Sequence, residues 1–266
     1  MREPALLGAR VTRRQLARDR IVALCGLTAA AALAWAYLLY MSWGMEHMVE
    51  GAAMAIMPRM THWHTIDLLL VLAMWVIMMA AMMLPSIMPT VLGFASMSGW
   101  RRAQRLPSVP TSVFVLGYLA VWSGFSVFAT LVQWGLLEAR LVTPMMVSAT
   151  PLFASALLVI AGLFQFTPLK RACLARCASP LGFLLAGWRD GALGAWIMGF
   201  RHGAYCVGCC GLLMTLLFVF GVMNVLWIAA LSIYVMLEKM LPQVRWLPFA
   251  QGVVLICWGI AVAARA

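Results

Sequence analysis

The chain has 266 residues, of which 65% are apolar and 10% charged. Soluble domains carry about 25% charged residues, so this composition excludes a soluble enzyme, a disordered tail and a disulfide-built secreted scaffold. Long uncharged runs point instead to a polytopic membrane protein lying in a lipid bilayer. A formal charge of +11 would suggest nucleic acid in a soluble chain, but here the cations fall between apolar runs, where they set topology, and no nucleic-acid partner is expected.

Met1 to Arg20 carries six arginines against two acids and leads into the uncharged stretch Ile21 to Met41. About 20 apolar residues suffice to cross a bilayer and no small-residue cleavage site follows, so a retained first helix is expected, not a signal peptide. A Met- and His-rich segment, 42–67, comes next. Apolar runs then predict spans over Leu68 to about Phe94, Val113 to Leu137 and roughly Met145 to Phe166, with Pro85 and Pro89 expected to kink or end the first of them. Thr167 to Arg201 holds Lys170, Arg171, Arg176, Arg189, Asp190 and Arg201, too many charges for a lipid-facing span, and within it Leu181 to Phe200 reads as an interfacial amphipathic helix.

The 35 uncharged residues Gly203 to Leu237 would be about 52 Å long as one helix, against a hydrocarbon core of about 30 Å. They are therefore expected to break at Gly221-Val-Met-Asn224 into two short spans, and Trp246 to Ala264 forms the last. The expected fold is an all-α polytopic transmembrane helix bundle of about seven spans. Its organisation is a basic cytoplasmic segment, 1–20, and one transmembrane domain, 21–266, with an outer Met/His-rich segment at 42–67 and a cytoplasmic Cys-containing segment at 167–201. With the N-terminus cytoplasmic, 16 of the 19 Lys and Arg residues lie inside and Arg59, Arg140 and Arg265 outside, as the positive-inside rule requires.

The sharpest chemical signal is His202-Gly-Ala-Tyr-Cys206-Val-Gly-Cys209-Cys210. Residues four apart share a helix face, so His202, Cys206, Cys210 and Met214 form one stripe, with Cys209 flanking Cys206. Thiolates and thioethers select soft ions such as Cu(I), and an imidazole can join them. The motif is expected at a helix N-terminus, which would favour the thiolate, with Gly203 and Gly208 leaving room for a neighbouring helix. One or two membrane cysteines would be ordinary small fillers; three within five residues beside a histidine indicate metal binding, with thiol redox chemistry as the alternative. A second i, i+4 pair, Cys173 and Cys177, lies among Lys170, Arg171 and Arg176, and reads either as part of the site, as a relay, or as incidental.

Methionine supplies 12 of the 48 residues from Met41 to Met88. Met41, Met45 and Met48, then Met54, Met57 and Met60, recur at three and four, accompanied by His47, His62 and His64. Met74, Met78 and Met82 make an i, i+4, i+8 stripe in the second span, with Met79 and Met83 beside it. Core packing is the ordinary use of such a stripe; beside a thiol cluster, Met78, Met82 and Met83 become candidate stations of a transmembrane Cu(I) relay. Asp67, Glu238 and Lys239 fall at span ends and read as interfacial. No phosphate-binding loop, Ser-His-Asp pattern or intramembrane carboxylate pair is visible, and no enzymatic role is expected.

At Trp75-x-x-Met78-x-x-Ala81-Met82-Met83-x-Pro85, Thr167-Pro-Leu-Lys170-x-x-Cys173, His202-Gly-x-Tyr205-Cys206-x-x-Cys209-Cys210, Gly221-Val-Met-Asn224 and Glu238-Lys239-x-x-Pro242, the chain resembles a bacterial family of predicted metal-binding integral membrane proteins, formerly a domain of unknown function. Gly211 stands where that family pattern leads one to expect a bulky aromatic. Some members look like copper chaperones for tyrosinase-type copper oxidases. The resemblance implies a protein of the bacterial inner (cytoplasmic) membrane that supplies Cu(I), or another soft metal, to a copper-dependent enzyme. Cys206, Cys209, Cys210 and His202 are then the expected core ligands, Cys173 and Cys177 a cytoplasmic docking pair, and a soluble copper chaperone a further partner, with oligomerisation open. The alternative is a membrane thiol–disulfide oxidoreductase cycling Cys206 and Cys209, with Cys173 and Cys177 as the exchanging pair.

Overall fold

The computed structural model describes residues 3–47, 65–139, 141, 150–241, 244 and 246–265, without the side chains of 3–16, 45–47 and 181. Among the described residues there are ten helices and no strand: α1 (Glu3–His47), α2 (Thr65–Ala103), α3 (Thr111–Glu138), α4 (Pro151–Phe164), α5 (Pro168–Cys177), α6 (Pro180–Gly187), α7 (Gly191–Met214), α8 (Leu217–Phe220), α9 (Val225–Met240) and α10 (Trp246–Ala263). Five stretches are long and apolar enough to cross a membrane: Ala17–Gly44 in α1, the whole of α2, α3, Gly191–Phe220 across α7 and α8, and α10. Helices α4 and α5 pass only as a pair, bent by 67° where they meet. Helix α9, with 16 residues, reaches about 24 Å, short of the hydrocarbon thickness. Among the described residues, five candidate spans, or six with the bent pair, thus stand against about seven expected.

Helix α2 is the centre of the bundle. A helix that is apolar all round belongs in an interior, and Val71, Met74, Trp75, Met78, Met79 and Ala81 through Leu84 are all buried. Helices α1, α3, α6 and α9 pack against it; α3 runs along α7, α5 rests on α7, and α4 pairs with α10. Trp75 donates its indole N–H to Gln133 Oε1 of α3 at 2.6 Å.

Pro85 and Pro89 do not end α2, which continues to Ala103. A proline lacks the N–H that would bond the carbonyl four residues back. Pro85 therefore frees the Ala81 carbonyl, and that oxygen accepts the Trp35 indole of α1 at 3.1 Å. Nearby carbonyls are covered as well: Met83 O by Ser86 Oγ at 2.9 Å and Met82 O by Ser232 Oγ of α9 at 3.2 Å. In an apolar bundle, freed backbone groups survive only when neighbouring helices satisfy them in this way.

Backbone contact joins α3 to α7. A Cβ added at Gly199 would lie 2.0 Å from Phe114 O, and one at Gly117 would lie 2.3 Å from Trp196 O. Small residues let apolar helices approach this closely.

The expected break at Gly221-Val-Met-Asn224 is present. Gly221 has φ +96°, and Asn224 caps α9 by accepting from the backbone N–H of Leu226 and Trp227. By contrast, Leu181 to Phe200 is not one interfacial helix. It divides at Trp188-Arg-Asp190, and its second half is the first part of α7. Ion pairs Arg102–Asp19 (3.2 Å) and Arg101–Asp190 (2.5 Å) join the end of α2 to α1 near the start of its apolar stretch and to the start of α7, at one charged end of the bundle. The outer histidines and methionines at 48–64 lie outside the described residues.

Candidate metal centre

The cysteine motif lies in the middle of α7. The helix starts at Gly191, so Cys206 is about 22 Å along it, beyond the first turn in which the helix dipole acts. The expected N-terminal position is thus corrected, and the local positive charge has another source. Lys239 of α9 donates from Nζ to Cys206 Sγ at 3.0 Å and to Ser86 Oγ of α2 at 2.8 Å. Tyr118 of α3 shares a hydrogen bond with the same sulfur at 3.1 Å. Three helices therefore meet at one thiol, with α2 joined through Lys239, and Cys206, Lys239 and Tyr118 are all buried.

Helix α5 brings the second cysteine pair to this point. Thr167 caps it, accepting from the Lys170 N–H at 3.3 Å, and Pro168 takes the first turn. Cys177 is buried where α5 rests on α7. Cys173, one turn back, is half-buried against Gly208, where an added Cβ would lie 2.8 Å from its sulfur. So Gly208 makes room for a thiol, while Gly203 makes room for Val121 and Tyr118 of α3. Gly211, where an aromatic was expected, lies under the ring of Phe125 from α3.

Cys209 and Cys210 are buried too, their thiols donating to the Cys206 carbonyl at 3.1 and 3.0 Å. His202 is 2% exposed and boxed by Phe183, Tyr118 and Phe114, with ring centroids at 5.0, 6.0 and 6.3 Å. Its Nδ1 has no hydrogen-bond partner, an arrangement that costs free energy when a polar atom is buried. Among the described residues, no three His, Cys, Asp or Glu side chains already converge as ligands of one ion. The thiols and the imidazole are gathered and shielded from lipid, but two of the thiols are turned to a carbonyl.

Met78, Met82 and Met83 are fully buried in the core of α2. Of these, Met83 reaches the cluster's edge: its sulfur lies 4.0 Å from Ser86 Oγ, the hydroxyl that also holds Lys239.

A buried ion pair joins α5 and α9, Lys170 from the segment expected to be cytoplasmic and Glu238 from the position expected at the interface. Lys170 of α5 and Glu238 of α9 are 2.6 Å apart, 1% and 2% exposed. Lys170 also bonds the Gln165 side chain, and Tyr234 donates to Glu238 Oε1 at 3.3 Å. Sequence reasoning missed Lys239, Tyr118 and Ser86 as neighbours of the thiols, and missed this pair. The available signal was Glu238-Lys239 closing a long uncharged run, since ionisable groups in apolar segments are costly and usually functional.

A family model described as PpoB2, copper chaperone, matches residues 72–262. The chain belongs to the PpoB2 copper chaperone family. The matched region contains α2 from its second turn through nearly all of α10, and so every residue of the thiol cluster. A copper-related role follows from that membership. No curated protein and no solved structure matches the chain.

Proposed function

We propose that the chain is a multi-pass protein of the bacterial cytoplasmic membrane, N-terminus inside, that receives Cu(I) and hands it to a copper-dependent enzyme such as a tyrosinase-type oxidase. Copper is its cargo. In this reading residues 21–266 act as one transmembrane domain behind a basic cytoplasmic segment, 1–20. The observation that carries the reading is the burial of Cys177, Cys206, Cys209, Cys210 and His202, whose Nδ1 has no partner, on two packed helices with the Lys239 ammonium against Cys206, inside a member of a copper chaperone family.

Soft thiolates and an imidazole suit Cu(I). A bis-thiolate Cu(I) complex carries one negative charge, and burying it needs a cation beside it; Lys239 supplies that cation. Cys206, held by Lys239, and Cys177, buried where α5 rests on α7, are the first ligands. Cys209 and Cys210 join by rotating away from the Cys206 carbonyl, and His202 is the remaining donor. Half-buried Cys173 completes a docking pair with Cys177. Met83, Met82 and Met78 continue from the cluster along α2 as the outward relay. The alternative redox use of Cys206 and Cys209 has less support, because the Cys209 thiol is directed at a carbonyl and not at the Cys206 sulfur.

Competitive Cu(I) titration of the detergent-purified protein tests this reading. Wild type is expected to bind Cu(I), and Cys206→Ser and Cys177→Ser each to weaken binding by about a hundredfold or more, at least the loss seen when outer-shell partners of metal ligands are removed. Unchanged stoichiometry and affinity in both variants would overturn it.

A further inference from the structure

At the charged end of the bundle lies a cavity of about 940 Å³ whose lining includes Arg20, Arg101, Met97, Leu184, Met88 and Met240. Its volume is that of a ligand pocket. Methionines in a core fill gaps, as Met74, Met78, Met79, Met82 and Met83 do at 0–1% exposure. The three methionines here are different: Met240 is 51% exposed, and Met88 and Met97 are half-buried. Their thioethers line an opening rather than closing one.

The cavity has a direction. From Arg101 to Met88 is 13 residues of α2, about 20 Å, and Met97 lies between them, about 13 Å from Met88. Its deep end comes level with the thiol cluster along α2 and α9, on other faces of those helices. Met88 follows Ser86 by two residues, Met240 follows Lys239 directly, and Ser86 and Lys239 are bonded to each other and through Lys239 to Cys206. The mouth is basic. Arg101 is matched by Asp190 and stacked over Trp188, while Arg20 makes no ion pair among the described residues.

We propose that this cavity is the inbound port for Cu(I), with Met97 and then Met88 and Met240 as successive thioether stations, and that its basic mouth receives an anionic Cu(I)–thiolate donor complex. The inference rests on the copper reading above. The step is ligand exchange: a Cu(I)–thioether bond forms as a Cu(I)–thiolate bond to the donor breaks, the donor thiolate departs, and copper stays monovalent. A free copper cation would be repelled by Arg20, whereas a bis-thiolate complex, carrying one negative charge, would be drawn to it.

The test is the rate of copper transfer from the Cu(I) bis-glutathione complex to the full-length protein in detergent, followed by rapid mixing. Met→Leu exchange conserves volume and is well tolerated. The triple variant Met88→Leu/Met97→Leu/Met240→Leu is expected to keep wild-type stoichiometry and affinity but to load at least about tenfold more slowly, while Met74→Leu/Met79→Leu loads at the wild-type rate. Loading of the triple variant at the wild-type rate overturns the port. Wild type taking up no Cu(I) would fell the copper reading itself, and the port with it. If the triple variant also loses affinity, Ag(I) titration of methyl-¹³C-methionine protein with Cys173, Cys177, Cys206, Cys209 and Cys210 changed to Ser decides. Shifts of the Met88, Met97 and Met240 methyl resonances support the port, and their absence overturns it.

Discussion

Lys170 and Glu238 show what a single buried charge does in this chain. Both are almost wholly removed from solvent and 2.6 Å apart. Removing one partner of such a pair leaves an uncompensated buried charge, at a cost of about 3–5 kcal/mol, whereas replacing both with neutral groups of similar volume is often nearly neutral. Lys170→Met is therefore expected to lower unfolding free energy by about that amount, and Lys170→Met/Glu238→Gln to recover most of it. Denaturant titration of the four members of the cycle in detergent checks this; a double variant as unstable as Lys170→Met would contradict it. The thiols were legible in the sequence because His202, Cys206 and Cys210 share a face through local spacing alone. Lys239 was not, since it meets Cys206 only where α9 packs near α7, and no periodicity within one helix reports a contact between residues 33 apart. Glu238 and Lys239 do point to different faces, as adjacent helical residues must; the consequence was that each found its own partner, one the Lys170 ammonium and the other a thiol.

At the scale of the helices, close approach and local breaks set the geometry that brings these groups together. The α3–α7 contact places Tyr118 beside Cys206, and it depends on Gly117 and Gly199 having no side chain. Gly199→Ala would drive a methyl into the Phe114 carbonyl, with no flexible side chain to yield, and is expected to cost at least about 1–3 kcal/mol. Gly124→Ala on the same α3, where nothing lies within 4 Å, should instead be neutral or stabilising by about 0.5–1 kcal/mol, the usual gain from replacing glycine inside a helix. Thermal unfolding of both variants separates the two outcomes, and equal melting shifts would contradict the contact. The Gly221-to-Asn224 break could be read in advance because glycine and an asparagine cap carry their own local preferences. The division at Trp188-Arg-Asp190 could not be read from charge count alone: Gly191, at φ +80°, was the local sign that a new helix starts there. Pro85 and Pro89 misled in the other direction. The carbonyl that Pro85 frees is satisfied by Trp35, a residue 46 positions away, so α2 passes through both prolines.

For the whole molecule, composition and apolar run lengths were enough to predict an all-helical chain with several membrane-long segments. The number of spans was less accessible, because α4, α5 and α9 are short and bent or capped by local sequence. What the folded molecule adds is an order along α2: half-exposed thioethers from the charged end, the thiol cluster around Ser86 and Lys239, then fully buried thioethers beyond it. Soft donors of increasing strength leading inward suit a carrier that must take a soft ion from one ligand set and release it to another. The central claim is that copper is held where α5 and α7 meet, and X-ray absorption at the copper edge of the Cu(I)-loaded protein tests it most directly. The account predicts monovalent copper with sulfur nearest neighbours, lost or replaced by nitrogen and oxygen scatterers when Cys177 and Cys206 are both changed to Ser; an unchanged sulfur shell in that double variant would contradict it.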